Sequence, residues 1–208
     1  MKSTYALFLI LFSNSYISKA QDIIGDLRVG FNTSLEKNIS STNMSTGQET
    51  GYEADYNKIN YRLGLNLEYS LTDNLSLNGS LNYSNKNFAG TFYCHKCGLI
   101  PQGVKNNDFR FIEIPLTLKY YFLPGSFRLF GELGLNNLFL LSKDLIAEYS
   151  SNTYILGIKI GSGIEYKLNQ KFSILIPIEF NSSISPIYKE SDFRLKSIVF
   201  GVGVMKRL

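Results

Sequence analysis

Apolar and polar residues alternate along most of the chain from residue 26 onwards. Between residues 59 and 69, every odd position is Ile, Tyr or Leu, whereas the even positions are Asn, Arg, Gly and Glu. This period of two is typical of a β-strand with one apolar face. The sequence predicts eight such strands, at residues 26–32, 59–69, 75–83, 110–122, 127–141, 154–166, 172–180 and 196–208.

The predicted connections alternate in length. The long ones cover residues 35–57, 85–107, 142–153 and 181–192, and the short ones cover residues 71–74, 123–126 and 167–171. Long exterior loops, tight periplasmic turns and an even number of strands are typical of transmembrane β-barrels. We therefore expect an all-β fold, an eight-stranded antiparallel up-and-down transmembrane β-barrel. Its polar, turn-rich segment at residues 38–51 is expected to be a mobile exterior loop.

Residues 1–20 have the three parts of a cleavable secretory signal. Met1-Lys2 provides a positive start, residues 5–12 form an apolar core, and Ser18-Lys19-Ala20 places small residues three positions and one position before Gln21. The sequence thus predicts cleavage after Ala20 and a single barrel domain at residues 21–208. Such a leader sends the mature chain to an oxidising, extracytoplasmic compartment.

A soluble lipocalin-like barrel would also alternate, but with its apolar face turned inward. The polar stripe of this chain is rich in Gly, Asn and Ser, whereas a solvated exterior would be rich in Lys and Glu. The apolar stripes carry no charge between their bracketing aromatic residues, as a lipid-facing surface requires. We therefore expect the polar stripe to line a filled lumen with paired charges. The charged residues assigned to the lumen network are Arg28, Arg62, Glu68, Glu113, Lys119, Arg128, Glu132, Lys159, Glu165 and Glu179, and Asp26 lies on the same stripe.

Aromatic residues bracket the apolar stripe of three predicted strands. The pairs, which lie 8, 12 and 8 residues apart, respectively, are Tyr61 with Tyr69, Tyr154 with Tyr166, and Phe172 with Phe180. About 9–11 residues of a tilted strand span a bilayer, and aromatic girdles mark its two interfaces. The spacing therefore predicts that these six residues form an aromatic girdle.

The composition narrows the classes of function. The formal net charge is +4, and with Lys2 and Lys19 in the leader the mature chain is near +2, which gives no reason to expect a nucleic-acid partner. Past the leader, no apolar run is long enough for a membrane-spanning helix. Two Cys and one His exclude a disulfide-dense scaffold and most metal sites with several ligands.

The two cysteines lie close together, in the sequence Cys94-His95-Lys96-Cys97. Such a C-x-x-C segment forms a local disulfide, a redox dithiol or half of a metal site. The segment offers three zinc ligands at most, and no βαβ unit surrounds it, so we favour a disulfide that tightens an exterior loop. Because His95 is the only histidine, we expect no catalytic, cofactor-binding or metal site, and no enzymatic activity.

Pro115 and Pro177 lie inside two predicted strands. A proline removes one hydrogen bond from the ladder of a sheet. The sequence therefore predicts a β-bulge at each of these prolines.

One hairpin carries a family resemblance. Residues 111–122 read FIEIPLTLKYYF, and residues 130–134 read FGELG. This hairpin resembles the central hairpin of the small outer-membrane β-barrel domain family (PorT-like) of Gram-negative bacteria. The resemblance implies an outer-membrane barrel, and some relatives in that family assist secretion or surface assembly.

These observations favour an integral protein of the cell outer membrane, in contact with its lipid. Such a protein would act without catalysis through its exterior loops, in binding, adhesion or surface assembly with a protein partner. Two alternatives stay open at this point. One is a narrow channel or an accessory subunit of a transport or secretion complex, and the other is a soluble lipocalin-like carrier of an apolar ligand.

Overall fold

A computed structural model describes residues 27–40, 43–45, 50–55, 58–94, 105–123, 125–144, 150–189 and 193–208. The predicted leader lies outside these residues. The strands are β1 (Leu27–Asn38), β2 (Asn43–Ser45), β3 (Thr50–Asp55), β4 (Ile59–Ser70), β5 (Leu75–Asn85), β6 (Phe88–Cys94), β7 (Lys105–Tyr121), β8 (Phe127–Asp144), β9 (Tyr154–Lys167), β10 (Phe172–Ser183) and β11 (Lys196–Arg207).

Eight of these strands close into one antiparallel barrel, in the order β1-β4-β5-β7-β8-β9-β10-β11. The pairing of β11 with β1 and of β7 with β8 completes the ring. Each barrel strand pairs with the preceding and the following barrel strand in sequence, so the topology is up-and-down. The predicted eight-stranded fold is therefore confirmed.

The three remaining strands extend the barrel wall at its long-connection end. The first residues of β7 pair with β6, which pairs with β3, which in turn pairs with β2. We call β2, β3 and β6 the exterior sheet. The prediction of loops at residues 35–57 and 85–107, which includes the segment 38–51, is therefore wrong in part because strands lie within them. The mobility predicted for residues 38–51 stays a prediction. These strands are short and mostly lack the apolar alternation that marks the barrel strands.

The apolar stripe of each barrel strand faces outward. Leu65 is 61% exposed and Ile178 is 53% exposed, whereas Glu68 and Glu113 are completely buried inside the barrel. An exterior of this kind is stable only in lipid, because such an apolar surface would aggregate in water. The soluble lipocalin-like alternative, which needs an apolar interior, is therefore wrong.

The tight turns at the other end are held by local hydrogen bonds. The Asn169 side chain accepts hydrogen bonds from the backbone N–H groups of Lys171 and Phe172, at 2.8 Å each. Thr72 Oγ1 accepts similar bonds from Asn74 and Leu75. Asn and Thr side chains often fix turns in this way, since they mimic a backbone acceptor.

Neither proline is the site of a bulge. The β5–β7 pairs on either side of Pro115, Gly79 with Leu116 and Asn82 with Glu113, keep one register. The β10–β11 pairs that flank Pro177 also keep one register. The register instead shifts on β7 between Arg110 and Phe111. The missing N–H of proline weakens the ladder locally, but the pairs around it hold the strands in place.

Candidate functional site

Charged residues fill the lumen in two clusters. The cluster near the short turns consists of Arg28, Glu68, Lys119, Tyr121, Arg128 and Glu165. Arg28 pairs with Glu68 and, at 2.6 Å, with Glu165. Lys119 and Arg128 lie 2.9 Å from Glu68 and Glu165, respectively. The Arg128 guanidinium also lies 3.7 Å from the centre of the Tyr121 ring, which adds a cation–π contact.

The central cluster lies nearer the long connections. It consists of Glu36, Arg62, Lys86, Glu113, Glu132, Lys159 and Glu179. The Glu179 carboxylate forms ion pairs with Arg62 at 2.5 Å and with Lys159 at 2.9 Å. Lys86 bridges Glu36 and Glu113, at 2.5 and 2.8 Å. Each charge in this cluster therefore has an oppositely charged neighbour, as burial in a low-dielectric lumen requires.

Ten of the eleven charged residues that the sequence placed on the inward stripe lie in these two clusters, and the eleventh, Asp26, lies outside the described residues. Sequence reasoning missed Glu36, Lys86 and Tyr121. Glu36 and Tyr121 have the same parity as the inward residues Arg28 and Lys119 of their own strands, and Lys86 continues the parity of Ser84. Following the alternation a few residues further would have found Glu36 and Lys86. With them, the two clusters hold six cations and six carboxylates among the described residues.

Uncharged polar residues fill the space between the clusters. Asn32 Nδ2 donates hydrogen bonds to Asn66 and Asn82, and Asn78 Nδ2 donates to Glu132. The cavity left in this region measures about 30 Å³. That volume holds one or two water molecules.

The long-connection end of the lumen is closed by an apolar plug, which consists of Phe88, Phe109, Phe111, Leu138, Ile155, Ile187, Tyr188, Phe193 and Leu195. Four of these residues come from the connection between β10 and β11. The Asn152 N–H, in the connection between β8 and β9, donates to the Ile187 carbonyl at 2.7 Å and so ties these two connections together. Sequence reasoning missed the plug, although Phe109 and Phe111 have the same inward parity as Glu113.

The six predicted girdle residues lie on the outside of the barrel at two levels. Tyr69, Tyr166 and Phe172 are near the short turns, and Tyr61, Tyr154 and Phe180 are near the long connections. The Tyr154 hydroxyl donates to Asn137 Oδ1 at 2.8 Å. Cys94 ends β6, whereas Cys97 lies outside the described residues, so the disulfide stays a prediction.

A closed antiparallel barrel with an apolar outside and a charged inside is the architecture of an outer-membrane protein. The model of the outer membrane protein beta-barrel domain family matches residues 6–205, so the chain belongs to that family. The protein is located in the outer membrane, where lipid surrounds the barrel. Within the described residues, no helix has the length and apolarity to span a membrane.

Solved structures with the same fold include three outer-membrane proteins. OprG from Pseudomonas aeruginosa is 17% identical, with a TM-score of 0.60, over 87% of this chain and 95% of that one. Neisserial surface protein A (NspA) is also 17% identical, with a TM-score of 0.53 over 88% and 97% of the two chains. Outer membrane protein W of E. coli is 16% identical, with a TM-score of 0.51 over 88% and 98%. A comparison with curated proteins found no match.

Proposed function

We propose that the protein acts at the cell surface, without catalysis, through the exterior sheet and the other long connections. The observation that carries this proposal is the exterior sheet itself. Residues 50–55 pair with β6, and β6 pairs with the first residues of β7, so the sheet is an extension of the barrel wall. A platform of paired strands suits binding, adhesion or surface assembly, because strands that are already paired lose less conformational freedom when a partner docks.

The filled lumen also supports a role at the surface. Paired charges occupy its centre, and the apolar plug covers its exterior mouth. An eight-stranded barrel has room for little more than its own side chains. With the centre of the lumen occupied, a partner outside the cell meets the exterior sheet and the long connections.

A photocrosslinking experiment in intact cells tests this proposal. A photoreactive residue is placed at Tyr52 in β3, and the matched control carries it at Gln170 in a periplasmic turn. We expect a protein or glycan adduct at position 52 in cells that display the protein, and none at position 170. Adducts at position 170 alone, or at neither position, would contradict a role for the exterior sheet.

The second candidate is a narrow channel or an accessory subunit of a transport or secretion complex. The charged lining of the lumen is the observation that favours it. Recording in planar bilayers separates the two candidates, and our proposal predicts no steady conductance. A stepwise ohmic conductance that disappears with heat-denatured protein would favour the channel.

Three further proposals concern the sequence features. First, we propose that the chain is PorT-like, which the E-I-P-L segment of β7 and its hairpin with β8 support. Second, we propose that residues 1–20 are removed on export. Third, we propose that Cys94 and Cys97 form a disulfide. The intact mass of the exported protein tests the last two. A chain that begins at Gln21 and lacks two hydrogens relative to its reduced form is expected. A retained leader, or two free thiols, would refute the corresponding proposal.

A further inference from the structure

The periplasmic end of the barrel opens into a cavity of about 750 Å³. Strand ends and the β4–β5 and β9–β10 turns surround it. Among the described residues, five cations line the cavity, Arg28, Arg128, Lys167, Lys171 and Arg207, together with two carboxylates, Asp73 and Glu165. The lining therefore has an excess of three positive charges, although the charges of the lumen as a whole balance.

The floor of the cavity is already neutralised in part. The Glu165 carboxylate forms ion pairs with Arg28 at 2.6 Å and with Arg128 at 2.9 Å. These two pairs neutralise Glu165, so it contributes little to pairing with the other cations. Arg128 Nε is buried and has no hydrogen-bond partner among the described residues. The floor therefore keeps an unused donor beneath the rim cations.

Two cations of the rim, Lys167 and Lys171, are placed to meet a ligand. Lys167 and Lys171 are exposed, and among the described residues neither ammonium has a carboxylate within 4.0 Å. Hydroxyl groups of Thr72, Ser126 and Ser173 lie in the same wall. Concave sites lined by one sign of charge concentrate ions of the opposite sign.

We propose that this cavity binds a ligand with two neighbouring phosphate groups. A phosphate monoester carries roughly −1.5 to −2 charges near neutral pH and a phosphodiester about −1, so two neighbouring phosphates match the excess of three positive charges better than one carboxylate does. Guanidinium and ammonium groups with nearby hydroxyls are the usual donors to phosphate oxygens. The volume admits more than a single phosphate. The ligand is either a soluble diphosphate or a lipid headgroup. A headgroup is considered because Phe172, which lines the cavity, is also 40% exposed on the lipid-facing exterior of the barrel.

Titration calorimetry with inorganic pyrophosphate tests the proposal on the full protein in a neutral detergent. We expect one site per barrel, with orthophosphate binding more weakly. The double variant K167Q/K171Q should lose at least about tenfold in affinity, because it removes two charge-assisted contacts. The control variant K58Q/K189Q makes the same change of charge at the exterior end and should bind as the wild type does. Both variants change side chains away from the ion-paired lumen, and heat-modifiable migration on a gel verifies their folding.

Two results would overturn the proposal: no binding of pyrophosphate at millimolar concentration, or an equal loss of affinity in both double variants. Nanodiscs of phosphatidylcholine with and without cardiolipin, which has two phosphates, then identify the source. Competition between cardiolipin and pyrophosphate supports a lipid headgroup as the ligand. An unchanged pyrophosphate affinity supports a soluble diphosphate.

Discussion

At the scale of single residues, the lumen is a set of charges that depend on one another. Glu68 is completely buried, and it receives Arg28, the Lys119 ammonium at 2.9 Å and the Tyr121 hydroxyl at 2.9 Å. A buried ion pair contributes little net stability compared with a well-packed apolar pair, but removing one partner leaves the other charge without compensation. The interior charges are therefore sensitive to single substitutions.

The substitution Glu68→Gln should lower the free energy of unfolding by about 3–5 kcal/mol, because Arg28 and Lys119 lose their common counter-charge. Urea unfolding of the reconstituted barrel, followed by circular dichroism, measures the change. Asp73→Asn is the control, since Asp73 lies exposed in a tight turn and its replacement should change stability by less than about 0.5 kcal/mol. Equal unfolding midpoints for the two variants would show that the lumen charges do not stabilise the fold.

At the scale of elements, small residues let neighbouring strands and inward side chains approach closely. A Cβ atom added at Gly134 of β8 would lie 2.0 Å from the Leu116 carbonyl oxygen and 2.6 Å from the Thr117 Cα of β7. These are backbone atoms, which move only if the strands separate. At Gly79 of β5, which lies among outward-facing residues, the nearest atom would be Leu116 Cδ1 at 3.8 Å.

We therefore expect the same substitution, Gly→Ala, to have different effects on stability at these two positions. Gly134→Ala should destabilise the barrel by about 1–3 kcal/mol, as overpacking does. Gly79→Ala should be neutral or stabilising by up to about 1 kcal/mol, because alanine reduces the freedom of the unfolded chain without a clash. Urea unfolding of both variants checks this prediction, and similar losses at the two positions would contradict it.

The alternation of residues was enough to predict the barrel, because one face of each strand meets lipid and the other meets a polar interior. The exterior sheet was not predictable in this way, since strands outside the bilayer are under no such constraint. The apolar plug escaped prediction for a related reason. Phe109 and Phe111 lie on the inward stripe, and only the position of the β10–β11 connection places Ile187 and Phe193 against them. The partners of each lumen charge depend on strand order and register across the barrel, as in the pairing of Arg28 with Glu165.

At the scale of the whole molecule, the two ends of the barrel differ, and side chains fill the lumen between them. The exterior end carries a sheet and an apolar plug, and the periplasmic end carries an open cationic cavity. The outward apolar stripe holds this arrangement in the membrane. Both proposals, binding at the exterior sheet and binding in the periplasmic cavity, depend on this orientation of the two stripes.

Spin labels at outward positions test the orientation most directly. The background is a variant with Cys94 and Cys97 changed to Ser. Single labels are placed at Leu65, Leu133 and Ile178, and a single label at Asn169, in the turn between β9 and β10, is the control. In lipid vesicles, we predict that the first three labels collide with oxygen and are shielded from a water-soluble nickel chelate, whereas the control label meets the chelate freely. If the chelate reaches Leu65, Leu133 and Ile178 as readily as Asn169, the apolar stripe does not face the acyl chains.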